Sequence, residues 1–191
     1  MPDLPQPGKR IVVIGTSGSG KTTTAGRLAA ILGYPHVELD SLHWEAGWQE
    51  APPDMFRERV AAAASGPCWV IDGNYSAVRD ALWSRADTIV WLDYSLIVVL
   101  WRIWWRTLHR ILQQEELWNG NRESFRTQFL SRESLFLWVL KTYWRRRREY
   151  PDLFSRPENG HLRVIRLSSA RKAEMWLGTL RGTADEKRRS R

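Results

Sequence analysis

Cysteine is nearly absent from this sequence, since Cys68 is the only one among 191 residues. A single thiol excludes a disulfide framework and a zinc site built from cysteines. Long apolar runs are absent as well. The most apolar region, residues 89–105, is interrupted by Asp93 and Arg102 and is too short to span a membrane. Residues 1–8 hold no apolar stretch that would form a signal peptide. We therefore expect a cytoplasmic protein with no membrane partner.

Internal repeats and low-complexity segments are also absent. The hydrophobic and charged fractions, 43% and 26%, are typical of a globular protein. A chain of 191 residues is long enough to bury a core within one domain. We place that domain at residues 9–181 and expect residues 182–191 to form a basic, flexible tail. These features do not distinguish a monomer from a homodimer.

Acidic residues are outnumbered in the second half of the chain. Residues 1–90 hold eight Lys/Arg and ten Asp/Glu, a net charge of −2, whereas residues 91–191 hold 21 and 11, a net charge of +10. A basic region of this kind is typical of proteins that bind nucleic acid. Arginines that close over several phosphate groups also explain it. Charge alone leaves both interpretations open.

One glycine-rich stretch carries the strongest chemical signal. The β-branched run Ile11–Ile14 predicts a buried strand, and Lys21–Leu32 has the apolar spacing of a helix that ends at Gly33. Between them, Gly15–Thr22 matches the pattern G-x-x-x-x-G-K-[ST] in the strand–loop–helix context that this phosphate-binding motif, the P-loop, requires. The alternative is a Ser/Gly-rich turn that matches by chance.

The residue types of this loop fit phosphate binding. Its glycines allow successive backbone N–H groups to face one anion, and the start of the helix adds unpaired amides. Lys21 reaches the β- and γ-phosphates in such loops, and the Thr22 hydroxyl is a ligand for Mg²⁺. We therefore predict a site for ATP and Mg²⁺ formed by Gly15, Thr16, Ser17, Gly18, Ser19, Gly20, Lys21, Thr22 and Thr23.

Strand and helix patterns alternate along the chain. Short apolar runs predict strands at residues 11–14, 36–40, 68–72, 88–93 and 162–167. Helical spacing predicts helices at residues 21–32, 55–64 (with Asp54 as N-cap), 76–83, 95–114, 123–150 and 171–180. The alternation implies an α/β fold with a five-stranded parallel sheet and helices on both faces. Gly15, Asp40, Asp72 and Asp93 then fall at the carboxyl ends of strands, where such sheets bind ligands.

Three further motifs accompany the loop: Leu39–Trp44, Ile71–Tyr75 and Trp118–Glu123. With the loop they resemble the adenylate kinase-related P-loop kinases, the nucleoside monophosphate kinase-like group. Within that group the chain most resembles the small bacterial proteins labelled "DNA topology modulation protein". The resemblance covers about residues 9–181 and implies the three-layer P-loop NTPase fold. It also implies a helical, arginine-rich lid, here at about residues 106–150.

The resemblance suggests roles for residues after the third strand. Adenylate kinases have Asp-Gly-Phe-Pro-Arg where this chain has Asp72–Ser76, with an arginine only at Arg79. By resemblance Asp72 lies by the Mg²⁺ ion and Arg79 holds a substrate anion. The departure at Asn74 and Tyr75 weakens the case for a nucleoside monophosphate as the acceptor. A carboxylate at a strand end also has a simpler use, which is to cap the next helix.

Asp40 and His43 are similar to the Asp-x-Leu-His element of gluconate kinase-like enzymes. In those enzymes the aspartate orients or deprotonates an acceptor hydroxyl, and a carboxylate near the γ-phosphate suits that work. Trp44 and Trp48 are candidates for the walls of an acceptor pocket. The alternative is that His43 and Trp44 only pack the loop.

Arg102 and Arg106 follow Asp93 in a pattern similar to the adenylate kinase helix that leads into the lid. There the first arginine lies against the adenine and the second reaches the phosphates. Guanidinium groups that close over a phosphoryl group stabilise the charge of the transition state. Arg122 is a further lid candidate. A solvated helix face is the alternative for each arginine, and we favour it for Arg145–Arg148.

These motifs together predict an ATP-dependent kinase that moves the γ-phosphoryl group to a nucleotide or a small hydroxyl compound. The catalytic candidates are Lys21, Asp40, Arg106 and Arg122. Arg102 is assigned to the nucleotide, Thr22 and Asp72 to the metal, and Asp40, His43, Asp72 and Arg79 to the acceptor. A nucleotide-switched DNA-binding protein is the alternative, although no DNA-binding module is recognised in the sequence. A hydrolase without an acceptor ranks below both.

Overall fold

The computed structural model describes residues 5–113 and 135–189. Its strands are β1 (Arg10–Gly15), β2 (His36–Glu38), β3 (Trp69–Asp72), β4 (Thr88–Leu92) and β5 (Arg163–Leu167). Its helices are α1 (Lys21–Leu32), α2 (Leu39–His43), α3 (Pro53–Ala63), α4 (Ser76–Trp83), α5 (Leu96–Gln113), α6 (Leu135–Phe154) and α7 (Ala170–Arg189). A short 3-10 turn, Pro157–Asn159, joins α6 to β5.

The five strands form one parallel sheet in the order β2-β3-β1-β4-β5. β1 lies at the centre, where Val13 pairs with Asp72 of β3 and Gly15 pairs with Leu92 of β4. The carboxyl ends of β1, β2 and β3 therefore meet at one edge of the sheet. This arrangement confirms the predicted parallel sheet and places the glycine-rich loop beside the end of β3.

Two apolar clusters cover the two faces of the sheet. Ile11 and Val13 of β1 face a cluster completed by α1, α5 and α7, whereas Val12 and Ile14 face one completed by α3, α4 and the end of α6. All four side chains are at most 2% exposed. A strand that is buried on both faces needs an unbroken apolar run, which is why Ile11–Ile14 shows no polar alternation. The three-layer α/β architecture is confirmed.

Two predicted boundaries differ near the second strand. β2 ends at Glu38, and Asp40 lies on the short helix α2 rather than at the end of a strand. Leu39 is buried, and an acidic side chain in the first turn of a helix is favoured by the helix dipole. Asp54 is not an N-cap, because α3 already begins at Pro53, a residue well suited to the first helical position.

The predicted tail is the largest difference. α7 continues beyond the expected end at Leu180 as far as Arg189, so residues 182–189 are helical rather than a flexible tail. The segment after Gly182 is rich in Ala, Glu, Lys and Arg, which are good helix formers.

Arg122 and the motif Trp118–Glu123 lie outside the described residues. Within the described part of the chain, no helix has the length and apolarity that crossing a membrane requires.

Candidate active site

The glycine-rich loop wraps around the start of α1. Gly18 and Gly20 have left-handed backbone angles, with φ of 81° and 87°, which side chains with a Cβ adopt only with strain. The loop is closed by a hydrogen bond from the Ser19 amide to the Thr16 carbonyl oxygen at 3.0 Å. α5 packs directly on it, since a Cβ on Gly18 would lie 2.5 Å from Cγ1 of Ile103. The loop is therefore shaped by its glycines and by contact with α5.

Asn74 holds the first glycine of the loop. Its Oδ1 accepts a hydrogen bond from the Gly15 amide at 3.2 Å, and its Nδ2 donates to the Gly15 carbonyl oxygen. One carboxamide, in the turn that follows β3, thus satisfies both backbone groups of Gly15 at the end of β1. The residue by which this chain departs from the adenylate kinase pattern is therefore part of the phosphate loop's support.

Asp72 occupies the end of β3 and is only 4% exposed. Its Oδ2 accepts a hydrogen bond from the Thr22 hydroxyl at 3.0 Å, and its Oδ1 lies 2.8 Å from Nε2 of His36. The hydrogen bond to Asp72 raises the pKa of His36 above its ordinary value, against the opposing effect of burial. The two predicted metal-binding residues, Thr22 and Asp72, are thus in direct contact.

This pair fits a magnesium ion carried by a nucleotide. Mg²⁺ prefers hard oxygen ligands and binds through one or two protein groups plus substrate phosphates. A hydroxyl and a carboxylate supply such ligands, and the described residues contain no cluster of three or more His, Cys, Asp or Glu that would hold a metal alone. The Ser19 hydroxyl is buried in the loop and, within the described residues, has no hydrogen-bond partner. A bound oxyanion is the kind of group that satisfies such a donor.

Arg102 on α5 reaches the loop. Its Nη1 donates a hydrogen bond to the Ser19 carbonyl oxygen at 3.0 Å, and its guanidinium lies 5.2 Å from the centre of the Tyr94 ring. The predicted nucleotide-binding arginine is therefore placed at the phosphate loop, and its contact with adenine stays a prediction. Arg106 lies one turn further along α5, and its side chain is outside the described part of the structure.

Asp40 lies on α2, where its Oδ1 accepts a hydrogen bond of 2.6 Å from the Tyr75 hydroxyl. Burial raises the pKa of Tyr75, and the negative charge of Asp40 raises it further. Tyr75 therefore remains protonated and donates to the carboxylate at all physiological pH values. The contact engages Oδ1 of Asp40, and the carboxylate has a second oxygen with which it can accept a proton as a base.

His43 lies within a cluster of rings beside Asp40. Its imidazole centre is 4.9 Å from those of Trp44 and Phe56 and 4.5 Å from that of Tyr75. Nδ1 of His43 is buried without a hydrogen-bond partner among the described residues, and Nε2 lies 3.8 Å from Glu50. These contacts support both the packing role and the acceptor-binding role that the sequence left open.

A tight turn presents the two tryptophans that follow α2. Trp44 pairs with Glu50 in an antiparallel bridge, and the Glu45 amide donates to the Gln49 carbonyl oxygen at 2.8 Å. Trp48 at the tip has a φ of 57°, which is unusual for a residue with a bulky side chain, and its ring centre is 5.6 Å from that of Trp44. The turn therefore holds the Trp44–Trp48 pair next to the ring cluster.

Arg79 lies on α4 and is paired with another residue. Its Nη1 donates to Oε1 of Glu149 on α6 at 2.8 Å, and its guanidinium lies 5.7 Å from the centre of the Trp83 ring. It borders a small pocket at the end of β1 and β3, lined also by Leu39, Gly73, Asn74, Tyr75 and Tyr150. Arg79 is thus near the candidate acceptor side, although its charge is already matched by that of Glu149.

No family model matches this chain. In sequence it is 26% identical over 145 residues to a shikimate kinase of Synechococcus elongatus, across 62% of this chain and 73% of the relative. In structure it matches a shikimate kinase from Bacteroides thetaiotaomicron with a TM-score of 0.53 and 16% identity, over 93% of this chain and 98% of that chain. A gluconokinase from Sinorhizobium meliloti matches with a TM-score of 0.50 and 22% identity, over 95% and 97%.

In sequence and in fold, this chain is similar to small P-loop kinases. The resemblance to the adenylate kinase-related group is therefore confirmed, and so is the P-loop kinase fold. The structural matches are below 25% identity and concern the fold alone. The roles of individual residues in this chain stay predictions.

The arginine run Arg145–Arg148 differs in part from expectation. Arg145 and Arg148 are exposed, as predicted for a solvated helix face, but Arg146 is buried and burial lowers its pKa. Arg147 lies 2.8 Å from Oδ1 of Asp93 through its Nε. Four consecutive helical residues point in four directions, so the run was bound to divide between solvent and core.

Asp93 directly follows β4 and joins α6 and β5 through two arginines. It is 4% exposed, and besides Arg147 of α6 it accepts hydrogen bonds from Arg166 of β5, with Nε at 2.9 Å. The Arg166 guanidinium also lies 4.6 Å from the centre of the Trp91 ring. Asp93 thus fastens α6 to the sheet, and sequence reasoning placed it at a strand end without its partners.

The site brings together most, but not all, of the predicted residues. The loop, Thr22, Asp72 and Arg102 form one group, and Asp40 and His43 form a second. His36, Asn74 and Tyr75 were not among the predicted site residues. The polar type of His36 in a short apolar strand and the replacement of Phe-Pro by Asn74-Tyr75 were the two available signals.

Proposed function

We propose that this protein is an ATP-dependent kinase that transfers the γ-phosphoryl group to a hydroxyl group of a small molecule. The observation that carries this proposal is the contact between Thr22 and Asp72 at the mouth of the glycine-rich loop. The relatives support it, since a shikimate kinase and a gluconokinase are by name kinases of small hydroxylated compounds. The identity of the acceptor is not specified by these names.

The nucleotide half of the site supports ATP binding. The backbone amides of the loop and the start of α1 would bind the phosphates, and Lys21 at the first position of α1 would supply a positive charge to the β- and γ-phosphates. Thr22 and Asp72 would hold Mg²⁺, which, when bound, neutralises charge on the phosphate oxygens. Arg102 lies on the loop and would neutralise further charge. Arg106 and Arg122 are proposed to act from the lid.

The acceptor half supports proton removal by Asp40. In the proposed reaction the oxygen of the acceptor hydroxyl forms a bond to the γ-phosphorus, and the bond from that phosphorus to the β–γ bridging oxygen breaks. ADP leaves with the bond's electron pair, and the proton of the hydroxyl passes to the Asp40 carboxylate. Tyr75 keeps that carboxylate oriented through its 2.6 Å hydrogen bond. His43, Arg79 and the Trp44–Trp48 pair are proposed to bind the acceptor.

The test is ADP formation from Mg²⁺ and ATP in the presence of a panel of acceptors. The panel holds shikimate, gluconate, other small hydroxyl compounds and nucleoside monophosphates. Lys21→Ala is the matched control, because it removes the charge that stabilises the transferring phosphoryl group while leaving the acceptor side unchanged. We expect one class of acceptor to raise ADP formation well above the rate with ATP alone.

Two outcomes would count against the proposal. Turnover that persists unchanged in Lys21→Ala would show that the activity does not arise at this loop. ATP binding without stimulation by any acceptor would remove the support for a kinase. Since nucleoside monophosphates are included, their preference over the hydroxyl compounds would place this chain with the adenylate kinase-like substrates instead.

A further inference from the structure

His36 makes the closest side-chain contact to the candidate metal ligand that the sequence did not anticipate. It is the first residue of β2, and its Nε2 lies 2.8 Å from Oδ1 of Asp72 on the neighbouring strand. The imidazole is mostly buried, with its side chain 21% exposed. The other oxygen of Asp72 is bonded to Thr22. Both oxygens of this carboxylate are therefore held, each by a different element of the fold.

The imidazole is also confined on its far side. α1 passes next to it at Gly26, where a Cβ would lie 3.6 Å from Nδ1 of the ring. The ring is thus enclosed between the helix that begins at the phosphate loop and the strand that ends at Asp72. A side chain confined in this way keeps its hydrogen-bonding nitrogen in one place, which is what a fixed partner for a carboxylate requires.

The two contacts to Asp72 differ in what they do when a nucleotide is bound. The oxygen of the Thr22 hydroxyl can bind a cation while the hydroxyl still donates its hydrogen bond to Oδ2 of Asp72. The terminal torsion of an aspartate is otherwise soft, so a carboxylate with one contact rotates easily. The contact to His36 is the one that fixes the plane of the carboxylate without itself being a candidate ligand of the metal.

We propose that His36 is a positioning residue for magnesium, which holds the Asp72 carboxylate in the plane that presents Oδ2 to Thr22 and to the cation. This inference rests on the proposed function, because it concerns the Mg²⁺ that accompanies ATP. Partners of metal-binding side chains typically change metal affinity by about 10- to 100-fold when they are removed. We expect a loss of that size here.

Three variants isolate the hydrogen bond from the packing. His36→Leu removes both ring nitrogens and keeps an apolar side chain of moderate size. His36→Gln places an amide N–H near the position of Nε2 and is expected to restore the contact. His161→Leu is the matched control, since Nε2 of His161 is hydrogen-bonded to the Trp83 carbonyl oxygen at 3.2 Å and the residue precedes β5, the outer strand on the other side of the sheet from β2.

The measurement is ATP binding by calorimetry, at a series of free Mg²⁺ concentrations and separately with EDTA. For His36→Leu we expect the half-saturating Mg²⁺ concentration to rise by about 10-fold or more, with ATP binding in EDTA unchanged. His36→Gln should recover most of the loss, and His161→Leu should match the wild-type chain. Thermal unfolding of each variant without ligand shows whether the fold is retained.

Unchanged Mg²⁺ dependence in a folded His36→Leu variant would overturn the inference. An equal loss of ATP affinity in EDTA would also overturn it, because His36 would then support the loop and not the metal. If the wild-type chain binds no ATP in either buffer, the proposed function falls and this inference falls with it. That case is recognisable because the wild-type chain itself fails, whatever the variants do.

Discussion

The two halves of the candidate site are built in different ways. On the nucleotide side, two side chains bind the backbone of the loop: Asn74 is hydrogen-bonded to both backbone groups of Gly15, and Arg102 donates to the Ser19 carbonyl oxygen. Asp72 contacts two side chains, those of Thr22 and His36. On the acceptor side, Asp40 is bonded to the Tyr75 side chain and His43 contacts rings. The nucleotide half is therefore formed mainly by the shape of the backbone, and the acceptor half mainly by the identity of its side chains.

This difference has a consequence for specificity. Every nucleoside triphosphate presents the same phosphates, so a loop built from amides and glycines needs little chemical variation. Acceptors differ in shape and hydroxyl arrangement, and a group of side chains on a short helix and a turn can change without disturbing the sheet. We therefore expect substitutions on the nucleotide side to alter ATP binding, and those on the acceptor side to alter turnover while ATP binding is kept.

Asp40→Asn should have the largest effect and gives the sharpest test of that division. Asparagine has nearly the same shape and still accepts a hydrogen bond from Tyr75, but it cannot take up the proton of an acceptor. General bases contribute about 10²- to 10⁴-fold to rate, and we expect kcat to fall within that range. ATP affinity measured by calorimetry should stay at the wild-type value.

If Asp40→Asn lowered ATP affinity as much as kcat, Asp40 would belong to the nucleotide half and the division would be wrong. If kcat stayed near the wild-type value, Asp40 would not be the base. The assay must use the acceptor that the panel identifies, at a saturating concentration. Thermal unfolding of the variant provides the check that its fold is intact.

Gly18→Ala should break the nucleotide half. Its φ of 81° is unfavourable for alanine, and the added Cβ would lie 2.9 Å from the Val99 carbonyl oxygen and 2.5 Å from Ile103. Overpacking and strain at such a position cost about 1–3 kcal/mol. We expect ATP affinity to fall by about tenfold, together with a lower unfolding temperature.

Gly178→Ala is the matched control for this substitution. Gly178 lies within α7, and a Cβ there would meet no atom of another element within 4 Å. Alanine in a helix interior is favoured over glycine by about 0.5–1 kcal/mol, so this variant should be slightly more stable. Its ATP affinity should be unchanged. A similar loss of ATP affinity in both variants would contradict the explanation.

The nucleotide half was also the more predictable from the sequence. A phosphate loop is specified by consecutive residues, and its glycines are required at fixed positions because the backbone takes left-handed angles there. The buried strand before it and the end of α1 at Gly33, with a φ of 71°, follow from local patterns as well. Local rules were therefore sufficient for this loop and for the elements on either side of it.

The contacts between distant residues were not predictable in this way. Asn74 bonds Gly15 and Arg147 bonds Asp93 across separations of 59 and 54 residues, and no periodicity relates such positions. The end of α7 was missed because the basic residues beyond Leu180 were interpreted as a tail, although residues 183–189 favour a helix. α2 was missed because its five residues are too few to show a helical period.

Tyr75→Phe tests the acceptor half with a smaller change. The variant removes the 2.6 Å hydrogen bond to Asp40 and keeps the ring that contacts His43 and Phe56. A hydrogen bond to a charged group contributes about 1.5–3 kcal/mol, part of which the ring contacts and solvent recover, and we expect kcat to fall by about three- to tenfold. ATP affinity should not change.

The loss in Tyr75→Phe should be independent of pH across the neutral range, because burial and Asp40 raise the pKa of Tyr75 and keep its hydroxyl protonated. Tyr34→Phe serves as the control, since Tyr34 precedes β2 and so lies at the amino ends of the strands, whereas the site lies at their carboxyl ends. An effect of Tyr75→Phe on ATP affinity equal to its effect on kcat would join the two halves into one unit.

Glu174→Gln should have the smallest effect and lies outside both halves of the site. Oε2 of Glu174 on α7 accepts a hydrogen bond from Nη2 of Arg27 on α1 at 2.8 Å, and both side chains are well exposed. This hydrogen bond lowers the pKa of Glu174 from its ordinary value of 4.5. Because the folded-state pKa is the lower one, the pair stabilises the protein above about pH 4.5, and that stabilisation is lost as the pH falls through the folded-state pKa.

Urea unfolding of the wild-type chain and of Glu174→Gln across the acidic range measures this contribution. The unfolding midpoints of the two proteins should coincide at low pH, where the carboxyl group is protonated in both states. They should separate slightly as the pH rises from the folded-state pKa to about 4.5 and stay apart above it, and added salt should reduce the separation because the pair is exposed. A separation that persists unchanged at low pH would arise from packing and not from charge. ATP affinity and kcat should stay close to the wild-type values, because the contact involves Arg27 in the second turn of α1, whereas the phosphates are expected to bind at the first turn.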